Sequence, residues 1–346
     1  MTSPTAILGE RLLGALTGAL ELCTVELGRQ LGLYTALRDG PRTPAGLATA
    51  AGIDERYARE WLEQQAAAGF LDLGDDGFAL APGVAEVLLD EDGPAYAGAA
   101  GEFALGIALL TPRVVEAFRT GAGVPYTEYG HVRHGIAGFN RPMFTHLLGA
   151  EWLPAVPGID RRLRDRPGAR VLDLGCGMGH SSVAMARAYP AITVHGVDLD
   201  EHSISEARRV AAEAGVADRV DFSTGDAVAA AGAYDVITVF EALHDMGDPV
   251  GVLRNARELL APGGSVFIAD ERVADEFTAP AGEVERLQYA FSVLHCLPAT
   301  RAEDPVLANG TILRTPTLLG WAREAGFTTP EVLDIENDFW RFYRLR

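Results

Sequence analysis

The sequence predicts an α/β chain, a doubly wound, seven-stranded Rossmann-like domain preceded by an α-rich winged-helix domain. Three observations carry this. Between residues 171 and 269 short apolar runs alternate with helical stretches, the pattern of a parallel sheet covered by helices. The first run, Val171-Leu172-Asp173-Leu174, opens into Gly175-Cys176-Gly177-Met178-Gly179, with glycine at every second position. Such a turn lets the backbone pass close to a ligand. Upstream, residues 43–80 read as helix, turn, helix and hairpin.

At 346 residues the chain fits about two domains and can bury a full core. We divide it into a winged-helix and dimerisation domain over 1–90, a helical linker and substrate cap over 91–154, and a ligand-binding domain over 155–346. Ile7 to Leu31 reads as an opening helix with Leu12, Leu16, Leu20, Leu27 and Leu31 at helical spacing, a face suited to a homodimer or to an ordinary core. Glu10, Arg11, Glu21 and Glu26 interrupt it, so it is no signal peptide, and no run is apolar enough to span a membrane. Thr43 to Ile53 reads as a short helix and a glycine turn. Asp54 caps a second helix through Trp61 to Ala68. Phe70 to Leu73 and Phe78 to Leu80 flank Asp75-Asp76-Gly77 as a wing.

A winged helix suggests DNA binding, but charge argues against it. The would-be recognition helix carries Arg56 and Arg59 against Asp54, Glu55, Glu60 and Glu63, and the wing adds Asp72, Asp75 and Asp76. The whole chain carries a net charge of −19, which repels a duplex. The 29 basic residues are all arginine, which excludes Schiff-base lysine chemistry and a P-loop lysine. Cys23, Cys176 and Cys296 are far apart and show no metal-ligand spacing, so we expect a cytoplasmic protein with free thiols and no metal.

In the second domain, Ser181 to Tyr189 reads as a helix ended by Pro190. Thr193 to Asp198 is a second strand ending in an acid, nineteen positions after Gly179. A carboxylate at that distance accepts from a ribose diol. Val220 to Ser223 is a third strand, leading into Thr224-Gly225-Asp226-Ala227, and Tyr234 to Phe240 is a fourth. Leu253 to Leu260 reads as a helix, Ala261-Pro262-Gly263-Gly264 as a turn and Ser265 to Ala269 as a fifth strand. The helix Leu318 to Glu324 precedes two closing antiparallel strands, Val332 to Ile335 and Phe339 to Leu345.

A dinucleotide fingerprint needs glycine at 180, where this chain has His180. The form Asp-x-Gly-x-Gly-x-Gly instead resembles the class I S-adenosylmethionine-dependent methyltransferases. The N-terminal winged helix makes the chain similar to bacterial small-molecule members of that group, and more distantly to plant-type O-methyltransferases. The resemblance implies S-adenosylmethionine as cofactor, held by Asp173 at its ammonium, by Gly175, Gly177 and Gly179, by Asp198 and Leu199 at the ribose, by Asp226 and Ala227 at the adenine, and by Phe240. It implies homodimerisation through the N-terminal domain. It also implies that His244, in Leu243-His244-Asp245-Met246, takes the proton from an attacking hydroxyl; the tryptophan that ends this segment in plant-type relatives is Met246 here. Asp270, with Glu271 beside it, matches an acid that orients this histidine.

Val124 to His146 and Tyr289 to Pro298 are expected to build the substrate pocket, with Tyr126, Tyr129, His134, Asn140, Arg141, Phe291, His295 and Arg314 as contacts. The small-molecule acceptor is expected to be methylated at oxygen. Two alternatives stay open: methyl-ester formation on a small acid, and a regulator that binds S-adenosylmethionine or DNA without catalysis.

Overall fold

The computed structural model describes residues 3–346 and divides them into two compact units. One holds the chain up to Leu109 together with Gly130–Pro142; the other holds Leu110–Tyr129 and Met143–Arg346. The span 91–154 is therefore shared between the two.

In the first unit Ser3 caps the helix Pro4–Gln30, with Pro4 in the first turn where its missing N–H costs nothing. Thr43 caps Pro44–Ala51, and Gly52 ends that helix in the left-handed region at φ 67°. The Asp54 side chain accepts from the N–H groups of Arg56 and Tyr57 to start Glu55–Ala67. Strands β1 (Leu71–Gly74) and β2 (Gly77–Leu80) pair antiparallel around Asp75-Asp76, which completes the winged helix. Leu33, Tyr34, Leu47, Trp61, Leu62, Leu71 and Phe78 form its core.

The second unit is built on seven strands: β3 (Arg170–Leu174), β4 (Thr193–Asp198), β5 (Val220–Thr224), β6 (Tyr234–Phe240), β7 (Leu260–Glu271), β8 (Glu331–Leu333) and β9 (Trp340–Leu345). Their order is β5-β4-β3-β6-β7-β9-β8. Strands β3 to β7 are parallel, and β9 runs antiparallel to both β7 and β8. The turn expected at Ala261 to Gly264 lies inside β7 as an irregularity. Tyr234 pairs with Leu260 and Val236 with Ser265, so the intervening residues bulge out.

Residues alternate between the two faces of the sheet. Val171, Val236, Phe240, Phe267 and Phe342 join one core, while Leu172, Ile237, Val239, Ile268 and Tyr343 join the other. The strand order reverses between β3 and β6, so their carboxyl ends flank the crevice where open α/β sheets bind ligands. No helix of the described residues is long and apolar enough to cross a membrane.

Candidate active site

The glycine turn leaves the carboxyl end of β3 with three alternate positive-φ positions: Gly175 at 69°, Gly177 at 51° and Gly179 at 79°. Each glycine is needed for a different reason. A Cβ at Gly175 would lie 2.6 Å from the Ala242 Cβ, and one at Gly179 would lie 2.8 Å from the Phe222 ring. A Cβ at Gly177 would meet nothing within 4 Å, so that position borders open space. Gly179 starts the helix His180–Ala188 with no side-chain cap, so the positive end of that helix faces the glycine turn.

Asp198 ends β4 facing this turn. One carboxylate oxygen accepts from the Gly177 N–H at 2.8 Å and the other from the Asp200 N–H at 2.9 Å. Leu199 follows it exposed to solvent. Asp226 accepts from the Val228 N–H, which leaves the short turn Ala227–Ala229 beside it; Ala227 itself is buried. Phe240 is buried at the end of β6, its ring 5.5 Å from that of Phe144.

Asp173 differs from expectation. It is buried within the sheet, opposite Thr238 in the β3–β6 register. Its carboxylate accepts from the hydroxyls of Ser181 at 2.6 Å, Ser182 at 2.7 Å and Thr238 at 2.7 Å. Burial pushes its pKa up, and these three hydroxyls act against that. The residue expected to meet a ligand's ammonium thus ties the strand to the helix that follows the glycine turn.

Beyond β6, Glu241 takes a positive φ of 49°, uncommon for a residue with a side chain and typical of strained functional turns. The next turn, Leu243–Asp245, presents His244. Its imidazole is 2 % exposed and lies with Nδ1 2.8 Å from Oδ1 of Asp270, itself 1 % exposed at the end of β7. The remaining nitrogen, Nε2, is 3.5 Å from Oδ1 of Asp245. Burial alone pushes the imidazole towards its neutral form, but Asp270 and Asp245 outweigh it and hold the pKa well above the ordinary histidine value. Glu271 is buried beside this pair, held by the Gln288 amide at 2.6 Å, and burial with the Glu241 charge pushes its pKa well up.

Of the two segments expected to form the substrate pocket, the second and residues 124–129 of the first meet within the second unit. The Val124 N–H donates to the Pro298 carbonyl, and the Arg301 guanidinium donates to that of Gly121. The Tyr129 ring sits edge-on to His295 at 4.7 Å, with Tyr126 5.9 Å from the same imidazole. A π-helical turn, Ser292–Cys296, follows Glu283–Phe291 and buries His295 and Cys296; π turns recur at functional sites. Phe291, half-buried, is the residue before that turn. Cys296 brings its sulfur close to His244 and Asp245, one ligand atom from each of the three lying within 4.8 Å of the others. Sequence spacing could not find this cluster, because Cys296 is far from His244 along the chain.

Two expected contacts are engaged elsewhere. Arg314 donates to the Ala274 carbonyl and to the Tyr289 hydroxyl and lies 3.7 Å from Glu285, which fastens the segment after β7. Arg141 belongs to the first unit, where it pairs with Asp92 at 2.8 Å and Glu91 at 2.7 Å. Neither guanidinium is a free fork for a substrate carboxylate. His134 and Asn140 also belong to the first unit, on the helix Gly130–Met143.

Comparison with known proteins decides the family. Residues 165–308 match a methyltransferase domain, and residues 18–88 match an Rv2258c-like winged HTH domain. The ubiquinone biosynthesis O-methyltransferase of Pseudomonas aeruginosa is 31% identical over 188 residues, 51% of this chain and 73% of that protein. The chain belongs to the S-adenosylmethionine-dependent methyltransferases. Within that family it is also similar to the 27-O-demethylrifamycin SV methyltransferase of Amycolatopsis mediterranei, 33% identical over 126 residues, 36% of this chain and 46% of that one. Two solved structures share the fold of the methyltransferase along nearly its whole length. The mitomycin 7-O-methyltransferase has a TM-score of 0.71 at 20% identity, covering 99% of this chain and 98% of its own. A methyltransferase of calicheamicin biosynthesis, with S-adenosylhomocysteine bound, has a TM-score of 0.66 at 21% identity, covering 99% of both. The three left-handed glycines, the open space at Gly177 and the uncapped helix N-terminus of this methyltransferase fit such a cofactor.

Proposed function

We propose that the methyltransferase methylates a hydroxyl oxygen of a small specialised metabolite, with His244 removing the proton. The similarity to enzymes named for rifamycin and mitomycin supports the substrate class. The observation that carries the chemistry is the buried pair of His244 and Asp270, 2.8 Å apart.

S-adenosylmethionine, when bound, supplies a methyl group activated by its sulfonium. The residues that would hold it are Gly175, Gly177 and Gly179 through their backbone, Asp198 at the ribose, and Asp226 with Ala227 at the adenine. Asp173 acts one step back by fixing the turn. In the neutral imidazole Asp270 accepts from Nδ1 of His244, which leaves Nε2 with the lone pair. That nitrogen takes the hydroxyl proton, and the carboxylates of Asp270 and Asp245 stabilise the imidazolium that forms.

Local charge favours a hydroxyl over a carboxylate as the acceptor. Asp245 and Asp270 flank His244, and their charges would repel a carboxylate there. Arg141 and Arg314 are already engaged.

The same reading includes a homodimer built on the helix Pro4–Gln30, supported by the exposure of Leu12, Leu16, Leu20 and Leu27 along it. It places the enzyme in the cytoplasm, supported by three free cysteines. The deciding experiment is mass spectrometry of a metabolite extract incubated with the enzyme and isotopically labelled cofactor. A labelled O-methyl product that His244→Ala fails to make is the expected result; a labelled methyl ester formed equally by the variant would overturn the base role.

A further inference from the structure

Three side chains of different chemistry meet at His244. One ligand atom each of His244, Asp245 and Cys296 lies within 4.8 Å of the other two, and Nε2 of His244 is 3.5 Å from Oδ1 of Asp245. His244 and Cys296 are buried, at 2 % and 5 % exposed. Oδ1 of Asp245 is closed off from solvent and has no hydrogen-bond partner. A buried carboxylate oxygen is costly to leave without a donor, and a cation satisfies it as well as a hydrogen bond does.

Imidazole, thiolate and carboxylate are the donors that hold zinc and ions of similar softness. At metal–ligand distances of about 2.0–2.3 Å, tetrahedral donors stand roughly 3.3–3.8 Å apart. Donor atoms already within 4.8 Å of one another therefore need only small side-chain rotations to close on an ion. The far side of the imidazole is prepared for the same task. Its Nδ1 is 2.8 Å from Oδ1 of Asp270, the carboxylate–histidine arrangement that orients a metal-binding ring and strengthens Nε2 as a ligand. Spacing along the chain predicts no metal, because Cys296 stands on the π-helical turn Ser292–Cys296, remote from His244 in sequence.

We propose that Nε2 of His244, Oδ1 of Asp245 and Sγ of Cys296 form an inhibitory site for Zn2+, with a fourth position open to water. Cys296 binds as its thiolate, so the thiol proton, with any proton on Nε2, passes to solvent and no electron moves. The ion then occupies the lone pair that the hydroxyl proton needs, and methyl transfer stops. The inhibition rests on the base role of His244 proposed above; binding of the ion does not.

The test uses the full-length protein carrying Cys23→Ser, which removes the exposed thiol. It is titrated with Co2+, which enters zinc sites and absorbs visible light strongly when tetrahedral. One equivalent is expected to give visible bands and a near-ultraviolet thiolate-to-metal charge-transfer band, both displaced by Zn2+. Cys296→Ser should abolish the charge-transfer band. Asp245→Ala, at the partly exposed member of the set, should weaken Zn2+ roughly tenfold or more. Circular dichroism checks that each variant is folded, and Asp245→Ala decides alone if Cys296→Ser is not. Absence of the cobalt bands, or bands and zinc affinity unchanged in the variants, would overturn the site. Saturating Zn2+ is then added to the labelled-cofactor reaction, where inhibition reversed by a chelator is expected. Binding with undiminished methylation at oxygen leaves the site standing and removes the base role. No cobalt binding, with methylation lost in His244→Ala, removes the site alone.

Discussion

Oδ1 of Asp270 lies 2.8 Å from Nδ1 of His244, 26 residues away in sequence, with both side chains fully enclosed. The pair joins the end of β7 to the turn after β6, two neighbouring parallel strands whose carboxyl ends sit side by side. This arrangement sets both the tautomer of the imidazole and its basicity.

His244→Ala should lower turnover by about 10²–10⁴-fold while leaving S-adenosylhomocysteine affinity nearly unchanged. The wild-type rate should rise with pH, because the neutral imidazole is the active form. The raised pKa places that rise above the ordinary histidine value of about 6.5. Asp270→Asn removes the largest influence raising that pKa and leaves burial to lower it, so the rise should move to lower pH. Rate–pH profiles of the three proteins check this; an identical midpoint in wild type and Asp270→Asn would refute the coupling.

Asp173 should act through the fold rather than by touching the cofactor. Asp173→Ala strands the hydroxyls of Ser181 and Ser182, while that of Thr238 keeps the Leu172 carbonyl, and should cost at least about 2 kcal/mol of stability by chemical denaturation. Cofactor affinity should fall with it, as the glycine turn loosens. A variant of wild-type stability that has lost only affinity would show direct contact instead.

Two glycine substitutions should separate binding from folding. Gly177→Ala accepts a strained φ of 51° but meets no neighbour, so it should cost only about 1–2 kcal/mol and fold. Its methyl group enters the open side of the turn, so calorimetry should show weaker S-adenosylhomocysteine binding. Gly179→Ala drives its Cβ to 2.8 Å from Phe222 and 2.9 Å from Ala207, and its main loss should be in stability.

The acidic winged helix should bind no duplex, even at low salt, in a gel-shift assay with random-sequence DNA. Sedimentation of the intact chain should report a dimer. The double substitution Leu12→Glu with Leu16→Glu, both exposed in the single chain, should yield a monomer that keeps its fold. A monomeric wild type would remove the dimer.

Local chemistry made much of this protein legible in its sequence. The strands from β3 to β6 fall where apolar runs end in an acid or a glycine, and Thr43, Asp54 and Gly52 begin and end their helices as residues of those types do. Periodicity and turn chemistry act over a few residues, so the chain order itself displays them. The glycine turn with Asp198, and the His-Asp segment after β6, belong to the same class of signal.

Partnerships across long separations were decided only when the sheet formed. Asp173 reads as a ligand contact from its place beside the glycines, yet strand register sets Thr238 opposite it and the following helix brings Ser181 and Ser182 over it. Arg141 and Arg314 read as substrate contacts, and folding pairs them with Glu91, Asp92 and the segment after β7. The cluster of His244, Asp245 and Cys296 depends on a π-helical turn, and the contact of Tyr129 with His295 on a segment far upstream docking against Pro298. Hydrogen bonding and burial act on distance in space, and folding alone sets that distance for residues remote along the chain.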